Sequence, residues 1–208
     1  MSSLRPRLAL GVALPALLCA AIGLTHPMGL GPSTAEYWRN LHLALIPLFP
    51  LVGIAPWLIA HRIGRRTGWV AAILGYGFAT GYTALDILAG VGGGAMVMGG
   101  QSDATGPLFA VARPLAIFGV VSLALAVGVA GLAVLRRADA SGIRGPRLLA
   151  IAGTVLGLVG AALIEPGHIY FPVGTAALAL FAGGMTLLAV AVTHPALVSV
   201  GKAPTASN

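Results

Sequence analysis

Residues 36–60 read EYWRNLHLALIPLFPLVGIAPWLIA, a polar and aromatic stretch that runs directly into a long apolar one. From Leu43 to Ala60 the segment holds no charged residue. A helix of about 20 apolar residues is long enough to cross a bilayer. The segment therefore predicts a membrane-spanning helix with a group of polar side chains at its entrance.

The rest of the chain has the same character. Of its 208 residues, 58% are hydrophobic and 8% are charged, and the mean hydropathy is +0.95, which lies outside the usual range of soluble domains. We therefore predict an all-α integral membrane protein, a bundle of six transmembrane helices in a single polytopic domain at 1–195, with a disordered tail at 196–208. The predicted spans are about 8–25, 41–60, 69–90, 108–135, 148–164 and 173–193.

The first apolar run follows a basic start, Met1 to Arg7, which is also the pattern of a signal peptide. Because the run is long for a signal core and no extended soluble stretch follows it, we interpret it as a retained helix. The single cysteine, Cys19, lies inside this run. The chain can therefore form no intrachain disulfide and no thiolate metal cluster.

The basic residues indicate the orientation of the bundle. The net charge of +7 and the pI near 10.8 do not indicate nucleic-acid binding, because the basic residues lie in turns between apolar runs. Ten of the twelve fall on the side that carries both termini, and only Arg39 and Arg113 fall on the other. The positive-inside rule then predicts cytoplasmic termini in the cell membrane.

Two of the predicted spans carry residues that disturb a helix. Pro47, Pro50 and Pro56 remove backbone donors from the second span, which predicts a bend. Four glycines between residues 90 and 94 are expected to loosen the end of the third span. Glycines four residues apart in several spans indicate close helix packing, either within one bundle or between copies.

Polar and ionisable residues gather on the side opposite the termini. Four of the five acidic residues and three of the five histidines lie there, and ionisable groups at membrane depth tend to mark functional sites. The candidate ligand-binding residues are Asp86, His42, Glu36, Arg39, Arg113, Glu165 and His168. The candidate metal ligands are His42, His168 and His26.

Four functions are compatible with this group. Imidazole and carboxylate ligands suit a transition metal or haem, with a possible redox role. The same groups suit acid–base or hydrolytic catalysis by Asp86, Glu36 or His42. A small-solute or ion transporter would use Asp86 as its coupling carboxylate. In an accessory subunit of a larger complex, Asp86 would pair only with Arg113, and Glu36 only with Arg39.

The expected partners follow from the composition. They are the lipid bilayer and either further copies of the chain or other membrane subunits, and nucleic acid is not among them. The working hypothesis is a multi-pass membrane protein that binds a metal, haem or small ligand on its extracytoplasmic side.

Overall fold

The structure, a computed structural model, describes residues 4–200 and is helical throughout that range apart from short turns. Hydrophobic segments of this length form helices because a helix satisfies every backbone hydrogen bond internally. The α-helices are α1 Leu4–Gly23, α2 Ala35–Leu45, α3 Leu48–Ala60, α4 Arg65–Leu85, α5 Gly93–Met98, α6 Thr105–Ser141, α7 Arg144–Gly167, α8 Val173–Val192 and α9 Pro195–Val200. A π-helical segment, Asp86–Gly92, joins α4 to α5, and a 3₁₀ turn, Ser102–Ala104, precedes α6.

Within residues 4–200, six helical segments are long and apolar enough to cross a membrane, as the sequence predicts. Only 33–56% of the residues in their most apolar windows are buried, so much of the apolar surface faces outward. Outward apolar side chains of this number are typical of a lipid-facing bundle. The segments are Arg5–Gly23, Ala35–Ala60, Arg65–Met98, Ser102–Ser141, Arg144–Gly167 and Val173–Val192.

The second span is interrupted where its first proline lies. α2 ends at Leu45 and α3 begins at Leu48, with Pro47 at the N-cap position of α3. Proline fits this position because its missing N–H would have no helical partner there. The predicted bend is thus an interruption between two helices.

The sequence predicted that the third span ends near its glycines, at about residue 90, but the span continues beyond them. It continues to Met98, because Asp86–Gly92 adopts the wider π-helical turn instead of unwinding. A Cβ atom on Gly94 would lie 2.8 Å from the Cβ of Arg39, so this segment packs closely against α2. The glycines therefore serve close approach within the chain.

The same use of glycine recurs between other spans. A Cβ atom on Gly81 would contact the backbone of α6 at Gly119, and Cβ atoms on Gly153 and Gly157 would contact α8. Small residues allow helix backbones to approach closely. The glycine spacing seen in the sequence is thus accounted for by packing within one bundle.

Arginine side chains link neighbouring helices at one end of the bundle. There, Arg5 donates to the carbonyl of Thr193 at 3.0 Å, and Arg147 pairs with Asp139 at 2.9 Å. Basic side chains near helix C-termini are stabilised by the helix dipole.

The first residues of the predicted disordered tail, 196–200, are helical in α9, and residues 201–208 lie outside the described range.

Candidate metal centre

Three histidines from distant parts of the chain meet at the other end of the bundle. His26 lies in the loop after α1, His42 lies on α2, and His168 follows α7. One ring nitrogen of each lies within 4.8 Å of those of the other two. His26 and His42 are buried, and His168 is half-buried. We call these three residues the histidine cluster.

Hydrogen bonds fix the tautomers of two of these rings. His26 Nδ1 lies 2.7 Å from the carbonyl oxygen of Pro27, and His42 Nδ1 lies 2.7 Å from that of Trp38. A carbonyl oxygen only accepts, so each Nδ1–H donates, and Nε2 of each neutral ring carries a lone pair. The two Nε2 atoms are 3.4 Å apart. Two acceptors thus face each other.

The third ring is held by a buried tyrosine. The Tyr82 hydroxyl donates to the carbonyl of Ile164 at 3.3 Å, and its oxygen lies 3.0 Å from His168 Nδ1. In the tautomer in which His168 Nδ1–H donates to the Tyr82 oxygen, Nε2 of His168 carries a lone pair. Hydrogen bonds of this kind orient metal-binding histidines.

The backbone at His168 is strained. Its φ of +43° is uncommon for any residue with a side chain and is found mainly where the surrounding structure enforces it. Gly174, at the start of α8, lies so close that a Cβ atom there would overlap the His168 carbonyl. The turn between α7 and α8 therefore holds His168 in place.

Burial favours the neutral form of the histidines that lie outside the spans. It lowers the pKa of His26, against a smaller opposing effect of the Pro27 carbonyl. It lowers the pKa of His168 well below its ordinary value, with smaller contributions from His42 and His26. Tyr170, whose ring centroid lies 4.5 Å from that of His26, has its pKa raised by burial to about 12. Neutral imidazole is the form that binds metal ions.

The π-helical segment positions His42. A Cβ atom on Gly90 would overlap the His42 ring, so glycine is needed for the ring to lie against this backbone. Next to it, Trp38 Nε1–H donates to the carbonyl of Ala89 at 3.2 Å. π-helical turns often occur at functional sites. Here the turn brings α2 and the third span together around one imidazole.

Asp86, the first residue of the π-helical segment, also points at the cluster. Its side chain is 0% exposed, and Oδ1 lies 3.9 Å from His42 Nε2. Neither carboxylate oxygen has a hydrogen-bond partner within the described protein. Asp86, His42 and His168 line one cavity of about 270 Å³. An unsatisfied carboxylate therefore borders both the cluster and the cavity.

The structure does not contain the ion pairs expected for a purely structural polar group. Among the described residues, Arg113 pairs with Glu165 at 3.6 Å and not with Asp86. Arg39 donates to Asn40 Oδ1 at 2.9 Å instead of pairing with an acidic residue. The two specific pairings expected, Asp86 with Arg113 and Glu36 with Arg39, are therefore not found among the described residues.

Six of the eight candidate residues come together. Asp86, His42, Arg113, Glu165 and His168 line the cavity, and His26 completes the cluster. The other two do not line the cavity: Glu36 is exposed and Arg39 is half-buried.

Two residues outside the predicted candidates, Tyr82 and Gly90, also shape this centre. Tyr82 lies four residues before Asp86, a spacing that places both on one helix face and is visible in the sequence. The four-residue spacing of Gly90 and Gly94 indicated close packing, but not that the His42 ring would lie against Gly90.

The three imidazoles of the histidine cluster and the buried carboxyl group of Asp86 each offer an electron pair. These are the ligands that divalent transition metals accept. No family model matches the chain, and no similar protein is found among curated proteins or solved structures.

Proposed function

We propose that this protein is a multi-pass membrane protein that binds one zinc ion through His26, His42 and His168 on its extracytoplasmic side. The observation that carries the proposal is the 3.4 Å separation of the His26 and His42 Nε2 atoms, both of which carry lone pairs. Two facing acceptors repel each other, and a metal ion between them would relieve this repulsion, which supports the proposal.

The separation also fits zinc. Zinc–nitrogen bonds of about 2.0–2.1 Å at tetrahedral angles place two ligand nitrogens about 3.3–3.4 Å apart. His26 and His42 are 3.4 Å apart at these atoms, and a nitrogen of His168 lies within 4.8 Å of both.

A single ion suits the cluster better than haem. Two histidines on opposite sides of a porphyrin would have their nitrogens about 4 Å apart, twice a metal–nitrogen bond of about 2 Å. The 3.4 Å separation is shorter, and a third nitrogen converges on the same point. The geometry favours a small ion at one shared position.

Metal content tests the proposal directly. We expect the full chain, purified in detergent and incubated with zinc and then desalted, to retain about one zinc per chain, as measured by elemental analysis. Magnesium, which prefers oxygen ligands, is the control and is expected to be lost on desalting. Retention of no zinc, or of equal amounts of both ions, would overturn the proposed function.

The extracytoplasmic position of the cluster rests on the distribution of basic residues, because short basic loops remain in the cytoplasm. Alkaline phosphatase needs an oxidising compartment for its disulfides. We therefore expect it to be active in a bacterial host when fused after Gln101, at the histidine end. Fused after Ser141, at the basic end, it is expected to be inactive. The reverse pattern would invert the topology.

A further inference from the structure

Asp86 lies beside the histidine cluster with no hydrogen bond from either carboxyl oxygen to another described residue. Its carboxylate is fully buried, and both oxygens lack a hydrogen-bond partner. Ionisable side chains buried at membrane depth without a partner are rare and tend to mark functional sites. Asp86 Oδ1 lies 3.9 Å from His42 Nε2.

Two roles are compatible with the position of Asp86 at a zinc held by the histidine cluster. One is that of a fourth ligand, and the other is that of an acceptor for a water in the fourth position. Asp86 lines the same cavity as His42 and His168, so the structure has space for a water beside the carboxyl group and the cluster. This space favours the second role, which leaves one position of the zinc open.

The cavity gives that open position access to a substrate. His42, His168 and Asp86 form one wall of the space of about 270 Å³. The other walls are mostly apolar or aromatic, with Trp38, Leu85, Ala89, Phe109, Ala116 and Tyr170 among them. An apolar cavity of about 150 Å³ binds benzene. The space therefore accommodates a short apolar group beside the cluster.

Charged residues also line this cavity. Arg113 and Glu165 contribute to its wall, and they pair with each other at 3.6 Å, with Arg113 largely exposed. An apolar wall together with an exposed charged pair suits a molecule with an apolar end and a polar end. A carboxylic ester with a short apolar acyl group has this form.

We propose that the centre is a hydrolase for carboxylic esters with a short apolar acyl group, and that Asp86 is its general base. This inference rests on the zinc site proposed above. Metal centres that activate water keep one coordination position open and have a proton acceptor nearby. The cluster, the cavity and Asp86 supply the ligands, the access and the acceptor.

The reaction balances without an oxidant or reductant. A zinc held by His26, His42 and His168 would activate the water and stabilise negative charge on the carbonyl oxygen. Asp86 takes one proton from that water, and the water oxygen forms a bond to the ester carbonyl carbon. The bond from carbon to the alkoxy oxygen then breaks, and the leaving alkoxide takes the proton from Asp86. The products are a carboxylic acid and an alcohol.

The test compares Asp86→Asn with wild type in the zinc-loaded full chain, with p-nitrophenyl butyrate as the probe. We expect the variant to retain about one zinc per chain and to hydrolyse the ester at least about 100-fold more slowly, the usual contribution of a general base. Asp139→Asn is the matched control, because Asp139 pairs with Arg147 at the opposite end. Its rate is expected to equal that of wild type.

Other outcomes overturn the inference in distinguishable ways. Loss of zinc from Asp86→Asn would make Asp86 a ligand of a closed site. Equal hydrolysis by wild type and Asp86→Asn, with zinc retained in both, would exclude Asp86 as the base. Failure of the wild-type chain to bind zinc would overturn the proposed function as well.

A second measurement needs no variant and so does not depend on the folding of Asp86→Asn. Cobalt(II) in place of zinc gives visible absorption that reports its ligands. We expect azide to change this spectrum, because it would enter the open position. An unchanged spectrum at saturating azide would contradict an open site and, with it, the proposed hydrolase.

Discussion

Replacing His42 with alanine is expected to abolish stoichiometric zinc binding. His42 is the central residue of the histidine cluster, since its Nε2 lies 3.4 Å from that of His26 and 3.9 Å from Asp86 Oδ1. Loss of a group that only supports a metal ligand costs about 10–100-fold in affinity, so loss of a ligand is expected to cost at least about 100-fold. At about 1.4 kcal/mol per tenfold, this is at least about 2.8 kcal/mol.

The measurement is a competition titration against a chelator of known zinc affinity, on the full chain in detergent. His61→Ala is the matched control, because His61 is an exposed histidine directly after α3 at the basic end. It is expected to bind zinc as wild type does. Equal weakening by both substitutions would show that the histidine cluster is not the zinc site.

Replacing Gly90 with alanine is expected to weaken zinc binding without removing any ligand. The added Cβ would overlap the His42 ring, so the ring or the π-helical segment must move. Inserting a methyl group into a packed site costs about 1–3 kcal/mol. At about 1.4 kcal/mol per tenfold, we expect the zinc affinity to fall by about 5-fold to 150-fold.

The control for this substitution is Gly128→Ala. Gly128 also lies within a helical span, and a Cβ atom there would meet nothing within 4 Å. Alanine is favoured over glycine inside helices by about 0.5–1 kcal/mol, so this variant is expected to unfold at the same or a higher temperature and to bind zinc normally. Wild-type affinity in Gly90→Ala would contradict the packing of His42 against the π-helical segment.

The two substitutions separate the ligands from the framework that holds them. His42→Ala removes an electron pair, whereas Gly90→Ala leaves all three imidazoles in place and changes only their positions. If both substitutions weaken zinc binding, the geometry of the centre is set by packing between α2 and the third span. This dependence distinguishes a preformed metal site from histidines that happen to lie nearby.

Much of the fold was predictable from the sequence because a bilayer allows few solutions. An apolar segment of about 20 residues must satisfy its backbone internally, which requires a helix. Six segments of this kind were predicted, and six are found. Span ends were less predictable: the third span runs to Met98 because a π-helical turn tolerates the glycines that suggested an end.

The location of the candidate site was also partly predictable. Because successive spans alternate in direction, His26, His42, Asp86 and His168 must lie on one side of the bundle. Each of them is near the end of a span that faces away from the chain termini. Knowing that two residues lie on the same side of the bundle does not, however, show that they are in contact. The ion pair proposed between Asp86 and Arg113 joined two residues on the correct side, yet Arg113 pairs with Glu165 instead.

The sequence by itself determined the class of protein, the number of spans and the side on which the chemically active residues gather, because hydrophobicity and charge act segment by segment. Only the tertiary structure decided that three imidazoles converge and that Asp86 is left without a partner. Helical periodicity fixes which residues share a face of one helix, but not the rotation of that helix against its neighbours. In this protein the rotation is set by close contacts such as that of Gly90 with His42 and by the π-helical turn.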